Sequence, residues 1–236
     1  MSALPRDSVG QLFGPHPLMA IFRGVSPEEG VRLATLAWDS GIGVIEVTLQ
    51  SRSDVEALEA VSAALKKLGP AVVGAGTVTT LADVDDAASA GAAFTVSPGL
   101  DLEVVRHSKK RGLPSLPGVS TPTEVHTAVR ADLTWLKAFP ASHLGPGWFR
   151  AMRGPFPEVS FVATGGLTVA DVAPLREAGV HTIALGSALT DPQELAQLPK
   201  LVAQIRAGKE SQVSDELASP RQHQSRKPSP QDDNNL

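Results

Sequence analysis

A chain of 236 residues with 42% hydrophobic composition is long enough for one large core or two small ones. A net charge of -4, with 4% aromatic residues and no tyrosine, excludes a general attraction to nucleic acid or anionic membrane and any stacking platform for single strands. The absence of cysteine excludes disulfides, thiolate metal sites and thiol catalysis, and leaves a small molecule as the expected partner.

Residues 1–17 lack the basic start and continuous apolar core of a secretory signal. No apolar run approaches the roughly 20 residues needed to cross a bilayer. The expectation is a soluble, cytoplasmic protein.

After an irregular start, Leu18 to Arg23 reads as a first strand. Ser26-Pro27-Glu28-Glu29 then opens a helix with a cap, a first-turn proline and acidic residues at its amino end; it runs to about Ser40. Gly43 to Leu49 is a second strand, and Asp54 to Leu68 a helix closed by Gly69-Pro70. Apolar runs recur at Val72-Val73, Ala93–Val96, Leu113–Leu116, Leu133–Phe139, Val159–Ala163 and His181–Leu185. Helical stretches lie between them at Leu81–Ala90, Leu102–Arg111, Pro122–Arg130 and Val169–Ala178, three of them followed at once by Gly91, Gly112 or Gly179.

Eight strands alternating with helices over ~200 residues predict a closed (β/α)8 barrel, an α/β TIM barrel, spanning 1–207. An open doubly wound sheet is the alternative, but its first-turn dinucleotide fingerprint is absent. From Gly208 the chain is rich in Ser, Gln, Pro and charge, and 208–236 reads as a disordered polar tail.

The chemistry-bearing residues fall at or just past the carboxyl ends of these strands, the face where a parallel barrel gathers its active site. Lys137 lies in the run Trp135-Leu136-Lys137-Ala138-Phe139-Pro140, and strand alternation puts it on one side with Trp135 and Phe139. An ammonium in apolar surroundings loses hydration, which favours the neutral, nucleophilic amine. A lysine paired to a carboxylate or reaching the rim is the competing explanation. Glu46 shares a face with Val44 and Thr48, opposite the apolar Ile45, Val47 and Leu49. It therefore points into the barrel, either as a proton-transfer group or as the partner of Arg23 or Lys137 in a structural ion pair.

Gly165-Gly166 and Gly186-Ser187 follow the seventh and eighth strands, where loops and helix starts bind phosphate through backbone amides. An anionic ligand is expected there. The six histidines show no paired spacing, so no metal site is expected. The run Lys109-Lys110-Arg111 is most simply a solvated helix end. A serine-hydrolase elbow is missing, and Gly74-Ala75-Gly76-Thr77 lacks the third glycine of a dinucleotide loop.

Taken together, Glu46-Val47-Thr48-Leu49, Gly74-Ala75-Gly76-Thr77-Val78, Val96-Ser97-Pro98-Gly99, Pro117-Gly118-Val119-Ser120-Thr121, Leu136-Lys137-Ala138-Phe139-Pro140-Ala141 and Thr164-Gly165-Gly166 resemble the class I bacterial 2-keto-3-deoxy-6-phosphogluconate / 4-hydroxy-2-oxoglutarate (KDPG/KHG) aldolases. The resemblance covers about 18–207. It implies a TIM barrel, a homotrimer, and no metal or organic cofactor. It matches Lys137 to the Schiff-base lysine and Glu46 to the general acid/base. Arg23 and Thr77 match residues at the substrate carboxylate, Pro98 and Phe139 the pocket lining, and Thr164, Gly165, Gly166, Gly186 and Ser187 the phosphate end.

The expected reaction is cleavage of a phosphorylated 2-keto-3-deoxy sugar acid to pyruvate and glyceraldehyde 3-phosphate, with 4-hydroxy-2-oxoglutarate as a further substrate. The phosphogluconate branch typically carries arginine four residues past the glutamate, whereas this chain has Gln50. The 2-keto-3-deoxy-6-phosphogalactonate branch tends to carry an uncharged polar residue there and relies on the strand-one arginine, whereas Glu46-Val47-Thr48 and Gly154-Pro155-Phe156-Pro157 look more like the gluconate side, so the epimer stays open. A phosphate-binding barrel isomerase or epimerase, and a catalytically silent sugar-acid sensor, are the alternatives.

Overall fold

The structure, a computed structural model, describes residues 8–218. A short helix α1 (Ser8–Phe13) precedes β1 (Leu18–Phe22), and the chain then alternates: α2 (Pro27–Asp39), β2 (Val44–Thr48), α3 (Arg52–Leu65), β3 (Val72–Gly76), α4 (Leu81–Ser89), β4 (Thr95–Val96) and α5 (Leu102–Lys110). Next come β5 (Ser115–Leu116), β6 (Gly118–Val119), α6 (Pro122–Arg130), β7 (Trp135–Ala138), α7 (Ala141–Arg153), β8 (Ser160–Ala163), α8 (Val172–Glu177), β9 (Thr182–Leu185) and α9 (Pro192–Ala218). Single 3-10 turns at Val169–Asp171 and Ser187–Leu189 introduce α8 and α9.

The helices start where side chains satisfy their orphan amides. The Ser26 hydroxyl accepts from the Glu29 amide at 3.2 Å with Pro27 in the first turn, and Thr80 and Thr121 form full capping boxes with Asp83 and Glu124. Gly91, Gly112 and Gly179 end their helices at φ of 81°, 79° and 88°, the left-handed conformation that glycine adopts without strain.

Every strand pairing is parallel, in the order β5-β4-β3-β2-β1-β9-β8-β7-β6. β5 and β6 are two halves of one strand interrupted by Pro117, which has no N–H for the ladder. The first half pairs with β4 and the second with β7, so a single stretch of chain occupies both edges of the sheet and closes it. The eight expected strands are thereby the eight staves of a (β/α)8 barrel.

Inward side chains fill the amino-terminal end of the barrel. Met19, Val44, Phe94, Leu116, Trp135, Val162 and Ala184 form a buried cluster, and Phe13 of α1 is part of it. The Phe13 ring meets Phe94 edge-on at 5.0 Å and Trp135 at 6.0 Å. α1 thus plugs the barrel floor, and the open end lies at the strands' carboxyl termini.

Three elements depart from the expected outline. α1 lies in the stretch read as irregular. α7 fills a region without an expected helix; Gly145 (φ 67°) and Pro146 break it into two, which hides its periodicity. α9 continues past Ala207 to Ala218, while the barrel forms one compact unit ending at Val202. The remainder of the expected tail, residues 219–236, lies outside the described residues. No helix among the described residues is long and apolar enough to cross a membrane.

Candidate active site

Glu46 and Lys137 sit on strands that three others separate in either direction round the barrel, β2 and β7. Inward side chains from opposite staves point at the same axis. Both residues line one cavity of about 510 Å3 at the carboxyl ends of the strands. Glu46 is 1% exposed and Lys137 6%.

Neither takes part in an ion pair among the described residues, and Glu46 Oε2 makes no hydrogen bond. A structural salt bridge, the competing explanation for each, is therefore not what the fold builds. A buried carboxylate oxygen without a partner is costly, and such groups mark functional sites.

Glycine makes room for the Glu46 carboxylate. In register, Glu46 faces Gly74 of β3, and Lys137 faces Gly118 of β6. A side chain on Gly76 would overlap the Glu46 carboxylate, so that carboxylate lies directly against the β3 backbone. Lys137 Nζ stands 5.1 Å from the centre of the Phe139 ring, and Trp135, two residues earlier on the same face, is in the barrel core. The apolar setting expected for Lys137 is present.

Arg23, just past β1, lines the same cavity and is exposed; its Nη1 donates to Gln50 Oε1 at 3.0 Å. Phe139, Thr164, Gly165, Gly166, Gly186 and Ser187 also line it. Gly165 and Gly166 have φ of 97° and 68°, and side chains there would strike the Phe139 ring and Ser142 Oγ. Both positions thus require glycine for conformation and for space.

Two expected residues lie elsewhere. Thr77 (φ 60°) lines a neighbouring cavity of about 530 Å3 with Gln50 and Arg52. Pro98 is exposed and lines neither, its carbonyl packing against Gly118.

Sequence reasoning missed Thr48, Thr168 and Thr190. Thr48 is 1% exposed on the Glu46 face, with a buried hydroxyl that has no partner. Thr168 and Thr190 line the cavity beside the two glycine loops. Their distance from those loops was the available signal: two residues past Gly166 and three past Ser187. No group of acidic, histidine or cysteine residues suited to a metal ion occurs among the described residues.

The sequence profile described as "Aldolase: KDPG and KHG aldolase" matches residues 12–203. A probable 2-dehydro-3-deoxy-6-phosphogalactonate aldolase of Rhizobium meliloti is 36% identical over 180 residues, covering 75% of this chain and 83% of the relative. The solved native "KDPGal" structure superposes with a TM-score of 0.73 at 31% identity, covering 82% of this chain and 96% of its own. The KDPG aldolase of Legionella pneumophila, solved with pyruvate captured as a covalent carbinolamine intermediate, superposes with a TM-score of 0.70 at 28% identity, covering 81% and 95%.

Proposed function

This chain belongs to the KDPG and KHG aldolase family, and from that premise we propose that Lys137 and Glu46 carry its reaction. It is a class I aldolase acting on 2-keto-3-deoxy-6-phospho sugar acids. The observation that supports the assignment of residues is the pair itself: a buried amine and a buried carboxylate, both without an ion-pair partner among the described residues, facing one cavity from opposite staves.

In this reading Lys137 attacks the C2 ketone as a free amine, giving a carbinolamine that loses water to an iminium. Glu46 takes the proton of the C4 hydroxyl, directly or through a water. The C3–C4 bond breaks, its electrons pass into the iminium, and glyceraldehyde 3-phosphate leaves. Reprotonation of the enamine at C3 and hydrolysis return pyruvate and free Lys137. Arg23, with its planar fork of donors, holds the carboxylate, with Thr77 nearby. Phe139 covers the reacting amine. Thr164, Gly165, Gly166, Gly186 and Ser187 take the phosphate end.

The galactonate epimer is the substrate we assign, supported by Gln50 in place of arginine and its hydrogen bond to Arg23. The family resemblance supports a homotrimer. A cytoplasmic location suits a substrate too highly charged to cross a membrane unaided. Cleavage of 4-hydroxy-2-oxoglutarate would use the same amine and carboxylate.

Incubation with pyruvate and borohydride, followed by peptide mass mapping, tests the reading. The expected outcome is a covalent pyruvyl adduct on Lys137 that Lys137→Arg does not form. A folded protein without adduct would transfer the pair to acid–base isomerase chemistry. Comparing cleavage of the galactonate and gluconate epimers then tests the epimer.

A further inference from the structure

At the opposite end of the barrel lies a cavity of about 770 Å3, larger than the catalytic one. Its floor is the amino-terminal ends of β5 and β7, and its sides are the carboxyl-terminal halves of α5 and α6. Ser8 and Val9 of α1 complete its lining.

The chemistry of the walls is one-sided. Arg106 and Lys109 project from α5 and Arg130 from α6, all exposed and in no ion pair among the described residues. They outnumber Asp132, the carboxylate on this wall, and His126 stands beside them. Cations near helix carboxyl ends complement the helix dipole, which accounts for Lys109 and Arg130 singly. It does not account for two helices directing three unpaired cations at one cavity. The floor is different: Leu113, Leu133 and Trp135 are apolar, and the Ser115 hydroxyl is buried with no partner. A pocket of this size with an apolar floor and convergent charges is the usual form of a small-ligand site.

We propose that this cavity binds a small organic phosphate, its apolar body on Leu113, Leu133 and Trp135 and its dianionic head between Arg106, Lys109 and Arg130. The proposal is independent of the aldolase assignment, because no residue of the catalytic cavity takes part.

Titration calorimetry with 1-naphthyl phosphate and inorganic phosphate tests it on the full chain. The expected result is binding of the naphthyl ester at least tenfold tighter than inorganic phosphate, weakened about tenfold or more by Arg106→Gln/Arg130→Gln and unaffected by Ser187→Ala. Lys109→Gln serves should the double variant fail to fold, with a smaller loss in the same direction. No binding at millimolar ester, or equal affinity for inorganic phosphate, overturns the proposal. So does loss on Ser187→Ala alone, which would put the ester in the catalytic cavity. A double variant that changes the sedimenting mass would instead make this groove a contact between copies, and that too overturns it.

Discussion

The Arg23 guanidinium is held by Gln50, Nη1 to Oε1 at 3.0 Å, across the gap between the first two barrel strands. The Gln50 backbone is itself fixed, since its main-chain N–H donates to Asp54 Oδ2 at 3.0 Å and Ser51 caps the same helix. The arginine proposed to bind the substrate carboxylate is thus oriented by a residue that need not touch substrate. Replacing Gln50 with alanine is expected to raise KM for the galactonate epimer, the proposed substrate, roughly fivefold, about 1 kcal/mol for an exposed hydrogen bond to a charged group, with kcat little changed. Steady-state kinetics on both epimers measure it. An unchanged KM would mean that Arg23 reaches its position without help.

Gly76 sets the position of Glu46. A methyl group there overlaps the carboxylate, and β3 cannot retreat because its neighbours on both sides hold it in register. Gly76→Ala is therefore expected to displace Glu46 by about 1 Å and to lower kcat on the order of 100-fold. The borohydride-trapped adduct on Lys137 should still form, because imine formation needs the amine rather than a positioned Glu46. Full activity in Gly76→Ala would remove Glu46 from the proton transfer.

What the sequence revealed was local or periodic. The cap at Ser26, the closing glycines and the face shared by Val44, Glu46 and Thr48 depend on neighbours within a few residues, and each is present. The convergence of Glu46 and Lys137 was legible because parity and strand order suffice to derive it in a closed barrel. α1 was not legible, since six residues are too few for a stable isolated helix and Phe13 holds it by tertiary packing. Thr77 and Pro98 were assigned to the pocket from motif position, but the path of the loops after β3 and β4 carries them to a neighbouring cavity and to the rim. The two threonines beside the glycine loops have no composition signal, because threonine there also serves as an ordinary cap.

Phe13 is fully buried, and its ring closes the barrel floor against Phe94 and Trp135. Phe13→Ala should cost about 3–5 kcal/mol, the range for removing a buried aromatic ring. The midpoint of urea denaturation reports the loss. A change within experimental error would mean that the barrel floor stands without α1. Since Trp135 precedes Lys137 on the same strand, a loosened floor is also expected to lower kcat at temperatures where the variant remains folded.

Acid stability should depend in part on Glu124. Burial alone would push its carboxyl up, but amide and hydroxyl donors of Ser120 and Thr121 reach its Oε2 at 2.8–3.3 Å, outweigh that, and hold it below the ordinary value of 4.5. A carboxyl depressed on folding contributes stability that is present above its unfolded value and lost as pH falls through its folded one. Glu124→Gln should therefore destabilise at pH 7 by no more than about 1 kcal/mol, discounted for solvent screening. The gap between variant and parent should close once the pH drops well below 4.5. Urea midpoints at several pH values measure that gap. A deficit that persists unchanged in acid would assign the effect to the geometry of the capping box rather than to charge. Trp148 Nε1 donates to the Ser120 carbonyl at 3.0 Å, so loosening this cap also releases the contact between the α6 start and α7.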